Sequence, residues 1–175
     1  SDIDSSAVIT LGTDLPLKFF DPEHEPLFRR TADTVINNLV DSIKQVGSQL
    51  ILYLPNDIRF SDGSPFNAGL AAWWLDHLNR QNRTYLTRFF FSKLKPIDGG
   101  GIELIDGYTI QLNFYHPLPR AAYFLSHPDF AVYNRSGRGT GPLAEYADDA
   151  SGINTAAFIP NRNYRGESPA FSKLL

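Results

Sequence analysis

The sequence predicts an α/β fold. Three observations carry this expectation: short β-branched runs bounded by Gly and Pro, apolar residues recurring with a 3.6-residue period, and two alternating runs joined by Asp106-Gly107. Hydrophobic residues make up 42% of the 175 and charged residues 20%, the balance of a globular chain with a real core rather than a disordered one.

The elements follow in chain order. Ala7 to Thr13 is β-branched and ends near Gly12, as a buried strand entering a loop does, and Pro16, Pro22 and Pro26 mark a connection. From Leu27 to Val46, Phe28, Ala32, Val35, Ile36, Leu39, Val40, Ile43 and Val46 fall on a helical period, so a helix is expected there, stopped by Gly47. Gln49 to Leu54 reads as a strand. Ile58 to Phe60 is extended, and Ser61-Asp62-Gly63-Ser64-Pro65 turns the chain. Asn67 caps a second helix over Ala68 to Asn79, whose stripe is Leu70, Ala71, Trp74, Leu75 and Leu78.

Tyr85 to Leu94 fits helix or strand equally, and Gly99-Gly100-Gly101 breaks it. Ile102 to Ile105 and Tyr108 to Phe114 flank the Asp-Gly turn as a hairpin, with Tyr108, Ile110, Leu112 and Phe114 buried and Thr109, Gln111 and Asn113 wet. Arg120 to Ser126 reads as a short helix, Gly137 to Pro142 as a loop, Phe158 to Pro160 as a strand fragment and Asn161 to Pro169 as turns.

Charge and composition exclude several functions. A net charge of −3 argues against a general nucleic-acid binder. The absence of Cys excludes disulfides, thiolate zinc sites and a cysteine nucleophile. No apolar run approaches the roughly 18 residues of a membrane span, so a soluble chain is expected. There is no Met, and Ser1 is expected to follow processing or truncation.

His24, His77, His116 and His127 lack a metal-ligand spacing, and no G-x-S-x-G elbow points to a hydrolase. Gly137-Arg138-Gly139-Thr140-Gly141-Pro142 has neither the Walker nor the dinucleotide spacing. It is expected to be a tight connection whose glycines take positive φ. Arg80, Arg83, Arg88, Lys93 and Lys95 are interleaved with Tyr85, Phe89, Phe90 and Phe91. This pattern suits a single strand of nucleic acid or an anionic ligand, or else a solvated basic face over an aromatic core, and the overall negative charge favours the last. Trp73 and Trp74 point about 100° apart on a helix, one toward the core and one toward an edge or a ligand mouth.

Four segments carry a family resemblance. Leu52 to Phe66, with Phe60-Ser61-Asp62-Gly63-Ser64-Pro65, is similar to the F-x-L-R-x-x-V-x-F-S-D-G-x-P stretch of the family 5 extracytoplasmic solute-binding proteins of peptide and nickel ABC transporters. Ile105 to Leu112 resembles that family's D-D-Y-T-V hairpin, Gly139-Thr140-Gly141-Pro142 its G-T-G-P-Y signature, and Asn161 to Pro169 its N-x-x-Y-W-G-x-x-P. Leu143 and Arg165 stand where the family pattern has aromatic residues, and the stretch between Val46 and Leu50 is short.

The resemblance implies a single partial domain over residues 1–175, the first lobe of a two-lobed periplasmic-binding-protein fold, with a small mixed sheet flanked by helices and the second lobe absent. It implies a periplasmic or extracellular membrane-associated, monomeric binding protein that is not an enzyme. Such a protein captures an oligopeptide or other small solute for a membrane ABC permease, with no cofactor, metal or nucleic acid. The alternative is a cytoplasmic ligand-sensing domain of a transcriptional regulator. By position in the resemblance, Tyr85 and the loop His127-Pro128-Asp129-Phe130 face the ligand, and Asp129 is placed to pair a ligand amine such as a peptide N-terminus.

Overall fold

The computed structural model describes residues 8–9, 23–146, 157–166 and 173–174. Within them run β1 (Val8–Ile9), β2 (Phe28–Arg30), β3 (Val35–Asn37), β4 (Ser42–Val46), β5 (Gln49–Tyr53), α1 (Ala68–Gln81), α2 (Tyr85–Lys93), β6 (Ile102–Asp106), β7 (Thr109–Asn113), α3 (Ala121–Phe124), β8 (Leu143–Tyr146), β9 (Ala157–Pro160) and β10 (Lys173–Leu174). Single 3-10 turns occupy Ile97–Gly99 and Pro128–Phe130.

Three sheets result. One is antiparallel with strand order β4-β5-β7-β6, one is the hairpin β2-β3, and one is mixed, β1-β10-β9-β8, with β1 and β10 parallel. The fold is α/β, as expected, and α1 packs against β6 and β7.

The expected helix over Leu27 to Val46 does not form; the segment is β2, β3 and β4 instead. Its β-branched residues lose rotamer freedom in a helix. Its Asn side chains compete for the backbone: Asn37 Nδ2 donates to the Asp41 carbonyl and Asn38 Nδ2 to that of Pro26. Only Leu27, Phe28, Leu39 and Val40 are buried, while Ile36, Ile43 and Val46 are exposed, so no helical stripe is paid off by burial. Gly47 does supply a positive φ, +58°, but as the turn of the β4–β5 hairpin rather than as a helix stop. β4 lies at the sheet edge with all five residues exposed.

The second helix forms where expected. The Asn67 side chain accepts a hydrogen bond from the Leu70 amide at 2.9 Å, and Asn82 closes the helix at φ 46°. Its buried side is Ala68, Ala71, Trp74, Leu75 and Leu78. The stretch left open as helix or strand is α2, started by a reciprocal capping box between Thr84 and Thr87. Phe90 of α2 meets Phe91, Phe114, Phe124 and Phe130 in an aromatic core with ring centroids 5.0 to 6.2 Å apart.

The hairpin forms with Ile110, Leu112 and Phe114 buried, but two details differ from expectation. Tyr108 belongs to the turn and is exposed. Thr109 and Asn113 are buried because β7 has a strand on each side, and they are satisfied there: Thr109 Oγ1 donates to Asp106, and Asn113 Nδ2 to the Gly100 carbonyl.

The G-T-G-P return is held by close backbone approach more than by turn geometry. Gly137 alone of its glycines has a positive φ, +77°. At Gly139 a Cβ would sit 2.0 Å from the Glu23 carbonyl oxygen. Gly141 donates to that same carbonyl at 2.7 Å, and Ser61 donates to the Gly139 carbonyl at 2.9 Å. Gly139→Ala is therefore expected to cost about 3 kcal/mol or more, whereas Gly137→Ala, with open space around it, costs about 1 kcal/mol of backbone strain. Urea unfolding midpoints check this order; equal losses would contradict it.

Candidate ligand-binding face

Tyr85 is the first residue of α2, and 76% of its surface is exposed. The loop His127–Phe130 faces the same helix from across the core. His127 caps the 3-10 turn through Nδ1, which accepts from the Asp129 amide at 3.0 Å. That places the ring proton on Nε2, so the 3.5 Å approach of Nδ1 to Asp129 Oδ2 is not an ion pair in this tautomer. Phe130 has no exposed surface: it packs 5.0 Å from Phe90 and 6.1 Å from Phe91, anchoring the loop from beneath.

Asp129 opens on a recess of about 190 Å³ shared with Leu78, Gln81, Arg83, Thr84 and Thr87, where the end of α1 meets the start of α2. The fold thus brings Asp129, which His127 contacts, to the same recess as Arg83. Tyr85 adjoins this recess through Thr84 but does not line it. Arg83 and Thr84 were not singled out as site residues from sequence; the signals available were the basic stretch for Arg83 and a helix-capping pattern for Thr84.

The two tryptophans separate as expected. Trp74 is fully buried, and its Nε1 donates to the Ala131 carbonyl at 3.0 Å. Trp73 is half-buried at the edge of the core, stacked on His77, with Tyr133 edge-on and the Arg135 guanidinium 5.4 Å from its ring. Burial raises the Tyr133 phenol above its ordinary value, and the nearby Arg83 charge offsets part of that. Within the basic stretch, Arg80 pairs with Asp76 at 2.9 Å and Arg88 reaches the Asn82 carbonyl, over a core that includes Phe90 and Phe91. Among the described residues, no group of three His, Asp or Glu side chains could hold a metal ion.

The S-D-G turn is pinned to the segment after Tyr133. Asn134 is buried; its Nδ2 donates to Asp62 Oδ2 and Ser64 Oγ, and its Oδ1 accepts from the amides of Ser136 and Arg138. Partial burial pushes the Asp62 carboxyl up, but hydrogen bonds from the Ser64 hydroxyl and amide and from Asn134 outweigh it and hold the group below its ordinary 3.8.

The described residues thus form sheets and helices with an exposed helix start at Tyr85 and a 3-10 turn, Pro128–Phe130, packed against the same helix. A family model, "Bacterial extracellular solute-binding proteins, family 5 Middle", matches residues 34–171, and the chain belongs to that family. Its fold is that of NikA from Brucella suis in complex with Fe(III)-EDTA, at TM-score 0.79 and 20% identity over 97% of this chain and 39% of that one. NikA from Staphylococcus aureus in complex with Ni(L-His)2 aligns at TM-score 0.76 and 19% identity, over 97% of this chain and 38% of that one. Listeria monocytogenes OppA bound to peptide aligns at 0.73 and 15%, over 97% and 42%. The chain spans about two fifths of the length of these proteins, which have two lobes. Among the described residues, no helix is long and apolar enough to cross a membrane.

Because folding lowers the Asp62 pKa, its contribution to stability is complete above the ordinary carboxylate range and is lost as pH falls through the lowered value. Asn134→Ala is expected to cost about 1–3 kcal/mol at neutral pH and to flatten the acid limb of a melting-temperature profile below pH 3.8. An unchanged acid limb would show that Asn134 does not hold the carboxylate.

Proposed function

We propose that this chain is the first lobe of an extracytoplasmic binding protein that captures an oligopeptide or another small solute and delivers it to an ABC importer. The observation that carries the reading is the family match over residues 34–171. Two neighbours in fold give it substance: one is described as bound to peptide and another as holding a nickel–histidine complex. On this reading the solute meets the face formed by Tyr85 and the loop His127–Phe130, and the second lobe closes over it about a hinge.

The chemistry of that face favours a ligand with a free amine. The Asp129 carboxylate borders the recess beside α2, and an ammonium there forms a charge-assisted hydrogen bond. Tyr85 offers an exposed ring as a wall, and Phe130 acts by holding the loop in register.

The test is calorimetric titration of the whole protein with a tripeptide carrying a free or an acetylated N-terminus. Asp129→Asn is expected to weaken the free-amine peptide about tenfold and to leave the acetylated one unchanged. Equal affinities of the wild type for both peptides, or no effect of the substitution, would overturn the assignment of Asp129. No binding of any peptide would remove the peptide reading.

A further inference from the structure

A second recess, of about 540 Å³, lies between the last turn of α2 and the segment Tyr115–Pro119 that follows β7. It is separate from the Asp129 recess, to which it contributes no residue. Tyr85 and Lys93 mark the two ends of α2, about 12 Å apart along its axis. Six of its eight lining residues are exposed, so it is an open groove whose base is Phe89 and the buried Leu118.

Its surfaces are of two kinds. Phe89, Leu118, Pro117 and Pro119 form an apolar floor and wall, while Lys93, His116 and the Tyr115 hydroxyl supply polar groups. No acidic residue lines it. Lys93 rests with Nζ 5.0 Å from the centre of the Phe89 ring. Among the described residues, neither the Lys93 ammonium, the His116 ring nor the Tyr115 hydroxyl has a hydrogen-bond or ion-pair partner.

The walls are fixed before any ligand arrives. The Tyr115 amide donates to the Lys93 carbonyl at 3.0 Å, and Leu94 bridges Phe114, which ties the two sides of the recess together. Phe89 stacks on Phe124 at 5.6 Å, and two prolines stiffen the far wall.

We propose that this recess binds a small organic carboxylate with an apolar body, the ring or chain lying on Phe89, Leu118 and the prolines and the carboxylate meeting Lys93 and His116. A neutral apolar ligand would leave the Lys93 ammonium, which has no acidic neighbour in the groove, without a counter-charge. A bare inorganic anion would leave the apolar walls unused. The site is independent of the peptide reading, since it shares no residue with the Asp129 face.

The probe is phenylacetate, with neutral phenylacetamide as the control for charge, measured on the whole protein by ligand-observed saturation-transfer NMR and by calorimetry. Phenylacetate is expected to bind about tenfold more tightly than the amide, and Lys93→Met, which keeps the side-chain stem at an exposed position, is expected to remove that preference. Tyr115→Ala, also at an exposed residue, should weaken both probes. Absence of binding, equal affinity for the two probes, or insensitivity to Lys93→Met would each overturn the proposal. None of those results bears on the peptide titration.

Discussion

Two buried carboxylates organise the molecule. Glu23 and Glu25 are both nearly inaccessible, and an ionised side chain removed from water is costly unless it is answered by charge and hydrogen bonds. Glu25 is met by Arg165 and by the Thr140 hydroxyl, both at 3.0 Å; Glu23 is met by Arg138, by Ser61 and by the Glu145 amide. The partners come from the S-D-G turn, the G-T-G-P return, β8 and the turn after β9. Satisfying two charges therefore draws together segments more than 100 residues apart. Gly139 belongs to the same junction, since only a residue without a Cβ lets the return lie against Glu23.

This junction also accounts for a departure from the family pattern. Arg165 stands where the pattern has a tryptophan, and it meets Glu25 more closely than Arg29 does while also donating to Asn38. Leu143, in place of an aromatic, remains buried, so apolar character is kept where aromatic shape is not.

The parts of the fold that were legible had a local cause and a second signal in agreement with it. At α1 the Asn67 cap and the apolar stripe point the same way, and the Asp106-Gly107 hairpin has both its turn and its alternation. The segment Leu27–Val46 had periodicity alone. There β-branched residues and amide side chains that bond the backbone prevailed, along with pairing to β5, a strand whose position in space the period does not reveal. The candidate face was legible in a similar, partial way. Asp129 and His127 come together because they are near in sequence, whereas the neighbourhood of Arg83 depends on how α1 and α2 meet. Phe130 could be named from its position, but its burial follows from an aromatic core assembled by four separate segments.

β4 brings a liability with it. It is an edge strand in full contact with solvent, and its outer row of amide and carbonyl groups offers a template on which a foreign strand could add. Lys44 sits at the middle of that row, where docking another strand would strip water from an ammonium, and Ser42 and Gln45 keep the flanks polar. These polar residues thus guard the sheet edge against polymerisation.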